Sequence, residues 1–163
     1  ATGPVYLRHR LEPEYIRLFV ANVHVPCPPY ESCWRERPNA MEFGRLWGAT
    51  SEQVAALYQE HGLEVESELR EPPDHIAIEL DFLAALCEEE ENRWEDGRGD
   101  EAFALCRDQL IFIQRHLGRW VQDFCAAVRQ ESSGTIYSAL AGFLPLFVRA
   151  EERRLLKHLG SGA

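Results

Sequence analysis

Apolar residues along most of this chain recur every three or four positions, the spacing that places them on one face of an α-helix. No segment alternates apolar and polar residues between hairpin turns, so the pattern predicts no sheet. The predicted helices run from Glu12 to about Val23, over about 51–61, from Asp74 to about Asp96, from Asp100 to about Gly118, from there to about Gln130, and from Thr135 towards Leu159. We therefore predict an all-α fold, a single-domain bundle of about six helices over residues 1–163.

Several helix ends carry residues that favour them. Thr50 and Gln53 resemble a capping box at the start of the second helix, and Gly62 can end that helix in a left-handed conformation. A glycine-rich break at 96–99 separates two longer helices. Pro145 is expected to kink the last helix, because proline cannot donate the helical hydrogen bond.

The stretch His24–Ala40 contains four prolines and cannot form a continuous helix, because proline lacks a backbone N–H and restricts the residue before it. We predict a loop here. Trp34 lies in this loop, where binding residues are often found, so a binding role and a core role are about equally expected for it. Trp120 lies at helical spacing among other apolar residues and is predicted to belong to the core.

A second proline pair, Pro72-Pro73, precedes the third predicted helix. The predicted core face of that helix consists of Ile76, Leu80, Leu83 and Cys87. Asp74 and His75 fall off this face, and Asp74 can alternatively cap the helix. His75 and Glu79 lie one turn apart and could share a metal ion, but two ligands without a second pair favour a surface pair instead.

The chain is acidic, with 17 Lys and Arg against 27 Asp and Glu and a formal net charge of −10. This charge repels a phosphate backbone, so nucleic acid is not an expected partner. From Glu60 to Glu101, 16 acidic residues accompany three arginines, which gives this stretch a formal charge of −13. The stretch either attracts a cationic partner or forms solvated helix faces that keep the protein soluble.

No apolar run approaches the ~18 residues needed to span a bilayer, and the N-terminus lacks a basic segment followed by an apolar stretch. Stable membrane insertion and an export signal are therefore not expected. The five cysteines are an odd set without a C-x-x-C pair, a pattern typical of reduced thiols rather than of a disulfide framework. These features favour the cytoplasm.

Motifs for the common enzyme chemistries are absent from the sequence. The six histidines are never closer than 14 positions, which excludes H-E-x-x-H, and none has the preceding glutamate that a di-iron bundle requires. Phosphate-binding loops of the G-x-x-x-x-G-K and G-x-G-x-x-G kinds and the G-x-S-x-G nucleophile turn are also missing. We predict a protein that is not an enzyme and that uses no metal or other cofactor.

The segment 71–83, Glu-Pro-Pro-Asp-His-Ile-Ala-Ile-Glu-Leu-Asp-Phe-Leu, resembles the signature of the TorD/DmsD/NarJ family of molybdoenzyme maturation chaperones. In that signature an acidic-proline lead-in precedes Asp-His and a Glu-Leu-x-Phe helix. Further family-like motifs follow in the right order: Pro-Pro-Tyr-Glu-Ser at 28–32, His-Leu-x-x-Trp-x-x-x-Phe at 116–124, and Ile-Tyr-x-Ala-Leu at 136–140. The resemblance covers about residues 24–152.

The resemblance implies a cytoplasmic chaperone that binds the N-terminal leader of a molybdopterin-containing oxidoreductase subunit, often a twin-arginine signal, and delays export until the cofactor is inserted. A leader with paired arginines and an apolar stretch needs acidic groups beside an apolar groove. The peptide-binding set expected on these grounds is Pro29, Tyr30, Ser32, Trp34, Glu71, Pro72, Asp74 and His75. For His75 the alternative is a structural hydrogen bond between loop and helix.

Two other functions stay open. An assembly factor could grip a non-exported enzyme subunit outside its leader, and a helical nucleotide hydrolase is the enzyme alternative, although no phosphate loop is present. Family members usually have further helices before the proline-rich loop, whereas only one fits between Ala1 and His24, so we expect an N-terminally short chain. A missing helix would expose core that a domain-swapped dimer could cover, so a monomer and such a dimer are both compatible with the sequence.

Overall fold

A computed structural model describes residues 11–20, 25–66, 69–132 and 134–161. Within these ranges every regular element is a helix, and the β-type pairings are two isolated bridges, so the all-α prediction is confirmed. The helices are α1, which is α-helical over residues 11–15 and π-helical over Ile16–Val20, α2 (Glu31–Arg35), α3 (Ala49–Glu60), α4 (Ile76–Glu95), α5 (Gly99–Arg115), α6 (Leu117–Glu131) and α7 (Ile136–Ser161). The helix beyond the expected six is α2, a short turn inside the stretch predicted as a loop.

The face that α1 buries differs from the one that the helical spacing of Ile16, Phe19, Val20 and Val23 predicts. Leu18 is fully buried, whereas Ile16 and Val20 are about half exposed. A π-helical turn changes the angle between successive side chains, so a face identified at 3.6 residues per turn is displaced. Val23, which was also assigned to this face, lies outside the described residues.

Helical spacing predicts one face of α3 with Val54, Leu57 and Tyr58, of which Val54 and Tyr58 are buried and Leu57 is partly buried. Gly62 follows the helix with a φ of +70°. The predicted capping box is wrong. No side chain of α3 caps its first turn, and the Thr50 N–H donates instead to Oε1 of Glu36 at 2.6 Å. The acceptor therefore comes from the proline-rich segment, which fastens that segment to the start of α3.

The buried face of α4 is rotated by about one residue from the predicted face. It consists of Glu79, Phe82, Leu83 and Leu86, whereas Ile76, Leu80 and Cys87 are only partly buried. Phe82 causes this rotation, because its ring packs between Tyr58 of α3, at 4.6 Å between centroids, and Phe112 of α5, at 4.9 Å. One residue corresponds to about 100° around a helix, so Ile76 and Leu80 face a groove bounded by α4, α6 and α7.

Helices α4 to α7 pack against one another as successive neighbours. Gly97, with a φ of +73°, lies in the tight connection between α4 and α5. Between α5 and α6, a Cβ on Gly118 would lie 2.6 Å from the carbonyl oxygen of Ile113, so a glycine permits this close approach. Helical spacing predicts one apolar face of α6, and its members are all buried: Trp120, Val121, Phe124, Cys125 and Val128. Helix α7 contains Pro145 and packs against α5 and α6.

All five cysteines have free thiols, as predicted, and four of them are buried. One continuous cluster of buried apolar residues includes members of every helix from α1 to α7. Over the described ranges, no helix is long and apolar enough to cross a membrane.

Candidate functional site

The two proline-rich segments lie side by side and are joined at an isolated antiparallel bridge between Tyr30 and His75. The Glu31 N–H donates to the Asp74 carbonyl oxygen at 3.0 Å, and the Ile76 N–H donates to the Pro29 carbonyl oxygen at 2.9 Å. Because prolines cannot donate, the residues that follow them supply the N–H groups of this pairing. The structure thus brings together the two motifs that the sequence analysis assigned to one site.

Asp74 is fully buried, and its Oδ2 accepts a hydrogen bond from the Ser32 backbone N–H at 2.7 Å. Ser32 lies in the first turn of α2, where N–H groups lack intrahelical partners, so the carboxylate caps α2 from a distant segment. The expectation that Asp74 lies off the core is therefore wrong. The start of α4 is capped by His75, whose Nδ1 accepts from the Ala77 N–H at 3.2 Å.

Three predicted site residues, Tyr30, Glu71 and His75, are partly exposed, and Tyr30 contacts both of the others; we call them the Tyr30 cluster. The Tyr30 hydroxyl donates to Oε2 of Glu71 at 2.7 Å, and the rings of Tyr30 and His75 lie 5.1 Å apart. Burial, and then the Glu71 hydrogen bond, raise the pKa of Tyr30, so the phenol keeps its proton. Burial lowers the pKa of His75, so its imidazole is neutral at pH 7, and since Nδ1 accepts from Ala77, the proton resides on Nε2.

The five remaining predicted site residues are buried: Pro29, Ser32, Trp34, Pro72 and Asp74. Trp34 belongs to the core. Its Nε1–H donates to the Pro28 carbonyl oxygen at 2.7 Å, and its ring packs against Phe43 at 5.0 Å between centroids. These residues hold the two segments in place and present little surface to a ligand.

A buried acidic pair, Glu31 and Glu79, lies in the core among α2, α4 and α6. Oε2 of Glu79 accepts from the Trp120 Nε1–H at 3.1 Å. Glu31 is held by Arg35 and by Nδ1 of His116, which lies 3.0 Å from its Oε2. Burial, followed by the charge of Glu31, raises the pKa of Glu79 well above its usual value, because a second carboxylate charge in a dry core is unfavourable.

Sequence reasoning missed this pair. Glu79 was expected to form a surface pair with His75, and that expectation is wrong because Glu79 is fully buried. A signal was available, since Glu79 lies three and four positions before Phe82 and Leu83 and so shares their helix face. Glu79 was assigned to the surface because its side chain is polar, although its spacing places it on the buried face of α4.

Two grooves flank the start of α4. The first, of about 480 Å³, is lined by the Tyr30 cluster and by apolar residues of α1 and the proline-rich segment. The second, of about 440 Å³, is almost wholly apolar and is bounded by α4, α6 and α7, with Leu140 and Phe143 exposed by 55% and 61% at its rim. Phe19 lines both grooves, so an extended ligand could occupy them in succession.

Residues 5–126 match the family model described as the nitrate reductase delta subunit, a match that covers more than half of the chain. The chain belongs to this family. The family match and the names of three relatives confirm the resemblance to the TorD/DmsD/NarJ family. The chain is 28% identical over 151 residues to the TorD chaperone protein of Shewanella pealeana, covering 91% of this chain and 62% of that protein.

Two further relatives of the family match at greater coverage. The chlorate reductase assembly chaperone protein of Ideonella dechloratans is 32% identical over 154 residues, which is 93% of this chain and 74% of that protein. The selenate reductase assembly chaperone protein of Thauera selenatis is 30% identical over 153 residues, with the same two shares. The chain spans 62% of the length of the TorD protein from Shewanella. No solved structure matches it significantly.

Proposed function

We propose that this protein is a cytoplasmic, non-catalytic chaperone. It binds the N-terminal leader of a molybdopterin-containing oxidoreductase subunit, often a twin-arginine leader, and assists cofactor insertion, assembly and export proofreading. The observation that carries the proposal is the Tyr30 cluster in a groove that adjoins a second, almost wholly apolar groove at Phe19, in a chain whose relatives are named TorD, chlorate reductase and selenate reductase chaperones.

The leader's arginines would contact the first groove. Glu71 uses Oε2 to accept from Tyr30, and its carboxylate can accept further, charge-assisted hydrogen bonds from a guanidinium. The neutral His75 can donate its Nε2–H to a peptide carbonyl oxygen. The hydrogen bond from Tyr30 orients the Glu71 carboxylate, which reduces the entropy lost on binding.

The apolar stretch of the leader would then follow Phe19 into the second groove. Exposed aromatic and aliphatic side chains at its rim, such as Phe143, offer contacts to an amphipathic or extended apolar segment. The charged and the apolar parts of one leader would thus bind two adjoining grooves. Substitutions in either groove should weaken leader binding independently of substitutions in the other.

Calorimetry with a synthetic leader peptide tests the charged contact. Glu71→Gln should weaken binding about five- to tenfold at low salt, and the difference should shrink as salt rises, because a partly exposed ion pair contributes about 1 kcal/mol and is screened. Glu52→Gln, at an exposed acid on α3, is the matched control and should bind like the parent. Equal weakening by both variants, or undiminished binding of a peptide whose arginines are replaced by glutamine, would contradict the contact.

A second pair of variants tests the apolar groove. Phe143→Ser, at the rim, should weaken leader binding several-fold, whereas Leu156→Ser, 49% exposed near the other end of α7, should not. Thermal unfolding of both variants should match the parent, since neither residue is buried. If Phe143→Ser binds like Leu156→Ser, the leader does not use this groove.

A leader-free client subunit distinguishes the alternatives. If it binds as tightly as the full subunit, the protein is instead an assembly factor that grips the enzyme outside its leader. Turnover of nucleoside triphosphate by the purified protein would favour the hydrolase alternative.

A further inference from the structure

Three side chains able to bind a metal ion converge where α4, α5 and α7 meet. Glu90 lies on α4, Cys106 on α5 and His158 on α7, and one ligand atom of each lies within 4.8 Å of the other two. Glu90 lies fifteen positions after His75, so this cluster lies about 22 Å along α4 from the Tyr30 cluster. It is therefore a separate site.

The histidine of this cluster has an unsatisfied nitrogen. Nε2 of His158 is buried and has no hydrogen-bond partner in the part of the chain that the structure describes. The ring is held by stacking on Phe103 at 5.1 Å with 19° between planes, and by an edge contact with Trp94 at 6.0 Å. A buried imidazole nitrogen without a partner is costly, and a metal ion is one group that would satisfy it.

The carboxylate is oriented by outer hydrogen bonds of the kind that support metal ligands. Trp94 Nε1–H donates to Oε1 of Glu90 at 3.1 Å, and Gln109 Nε2–H donates to Oε2 at 2.8 Å. Arg154 is the cation beside Glu90, and two hydrogen bonds tie it to Glu151, which offsets its charge. Such outer partners fix ligand geometry before the ion arrives.

We propose that Glu90, Cys106 and His158 bind a Zn²⁺ ion. Sulfur and imidazole ligands select zinc over magnesium or calcium, and three protein ligands leave a fourth tetrahedral position for water. Tetrahedral zinc places its ligand atoms roughly 3.3–3.8 Å apart, so side-chain movements of about 1 Å suffice to close the site. The ion would fasten the end of α7 to α4 and α5.

Binding has a defined proton balance. Burial, followed by the hydrogen bond with Glu90, raises the pKa of Cys106 to about 12, so the metal-free thiol is protonated at pH 7. On binding, the S–H bond breaks, a sulfur–zinc bond forms, and the proton leaves to solvent. The thiolate and the carboxylate then balance the two charges of the ion.

Titration with Co²⁺ tests the site, because a thiolate bound to cobalt gives a charge-transfer absorption in the near ultraviolet. The parent should develop this band to one equivalent, lose it on adding Zn²⁺, and release one proton per zinc. Cys106→Ser and His158→Gln should remove or strongly weaken the band. The matched controls are Cys125→Ser, at another buried thiol, and His61→Gln, at a histidine beside Asp108, and both should retain it.

Zn²⁺ should also raise the melting temperature of the parent but not of His158→Gln, because an ion that binds only the folded state stabilises it. If Cys106→Ser does not fold, His158→Gln decides the matter, since His158 is only partly buried. The proposal is overturned if the parent shows no band at saturating Co²⁺, or if the band persists in His158→Gln.

Discussion

Asp74→Ala should destabilise the fold rather than abolish recognition, although the sequence places Asp74 in the expected peptide-binding set. The carboxylate is fully buried, and its Oδ2 accepts from the Ser32 N–H at 2.7 Å at the first turn of α2. Ser32 is itself fully buried, so water is not available to replace the lost acceptor. The variant therefore leaves a buried N–H unsatisfied.

The expected loss of unfolding free energy is about 2 kcal/mol. An unsatisfied buried donor costs about 1–3 kcal/mol and a lost helix cap about 1 kcal/mol, but both describe the same bond and are not added. Removing Asp74 also relieves its repulsion with the buried Glu79, which offsets part of the loss. For a chain of this size, 2 kcal/mol lowers the melting temperature by about 4–8 °C.

Asp74→Asn is the informative companion, because the amide keeps an acceptor oxygen for Ser32 and removes the charge. It should remain within about 1 kcal/mol of the parent. Asp81→Ala, at an exposed acid of α4, controls for removing a carboxylate from the same helix. Urea unfolding followed by circular dichroism measures all four proteins, with midpoints that shift at an unchanged slope.

Two results would refute this reasoning. If Asp74→Ala unfolds within about 0.5 kcal/mol of Asp81→Ala, the hydrogen bond to Ser32 contributes little. If Asp74→Asn loses as much as Asp74→Ala, the charge rather than the acceptor is what stabilises α2. Leader binding by the folded Asp74→Ala protein should be close to that of the parent, because the carboxylate has no exposed surface.

Two further predictions concern the core. Glu79→Gln keeps an acceptor for Trp120, and its unfolding free energy relative to the parent should rise as pH rises from about 4.5, by up to about 1.4 kcal/mol per pH unit. The reason is that a carboxyl whose pKa is raised in the folded state stabilises the parent at low pH and loses that contribution as pH rises. Urea unfolding measures the two pH profiles, and parallel profiles would contradict the assignment. Gly118→Ala should lower the unfolding free energy by about 1–3 kcal/mol, because the added Cβ would lie 2.6 Å from the Ile113 carbonyl oxygen. Gly142→Ala, which has open space around it inside α7, should raise the unfolding free energy by about 0.5–1 kcal/mol. Similar changes in thermal unfolding for both variants would refute the close approach at Gly118.

The sequence by itself predicted the helices other than α2, the family, and the two proline-rich segments that the structure pairs. Helical spacing of apolar residues is a local property, so α3 to α7 follow from it, as does the buried face of α6 with Trp120. Proline runs likewise identify irregular backbone without reference to the rest of the chain. The short helix α2 was not predicted, because five residues between prolines show too little periodicity to indicate a helix.

The tertiary structure alone decided which side chains of the site are exposed. Asp74 and His75 are adjacent in sequence, yet the pairing of two distant segments buries the first under α2 and leaves the second partly exposed. Glu79 is buried because Trp120, 41 positions away, supplies its hydrogen bond, and a helical wheel contains no information about such a partner. Long-range hydrogen bonds determine where a polar residue can be buried, and these form only when the helices pack.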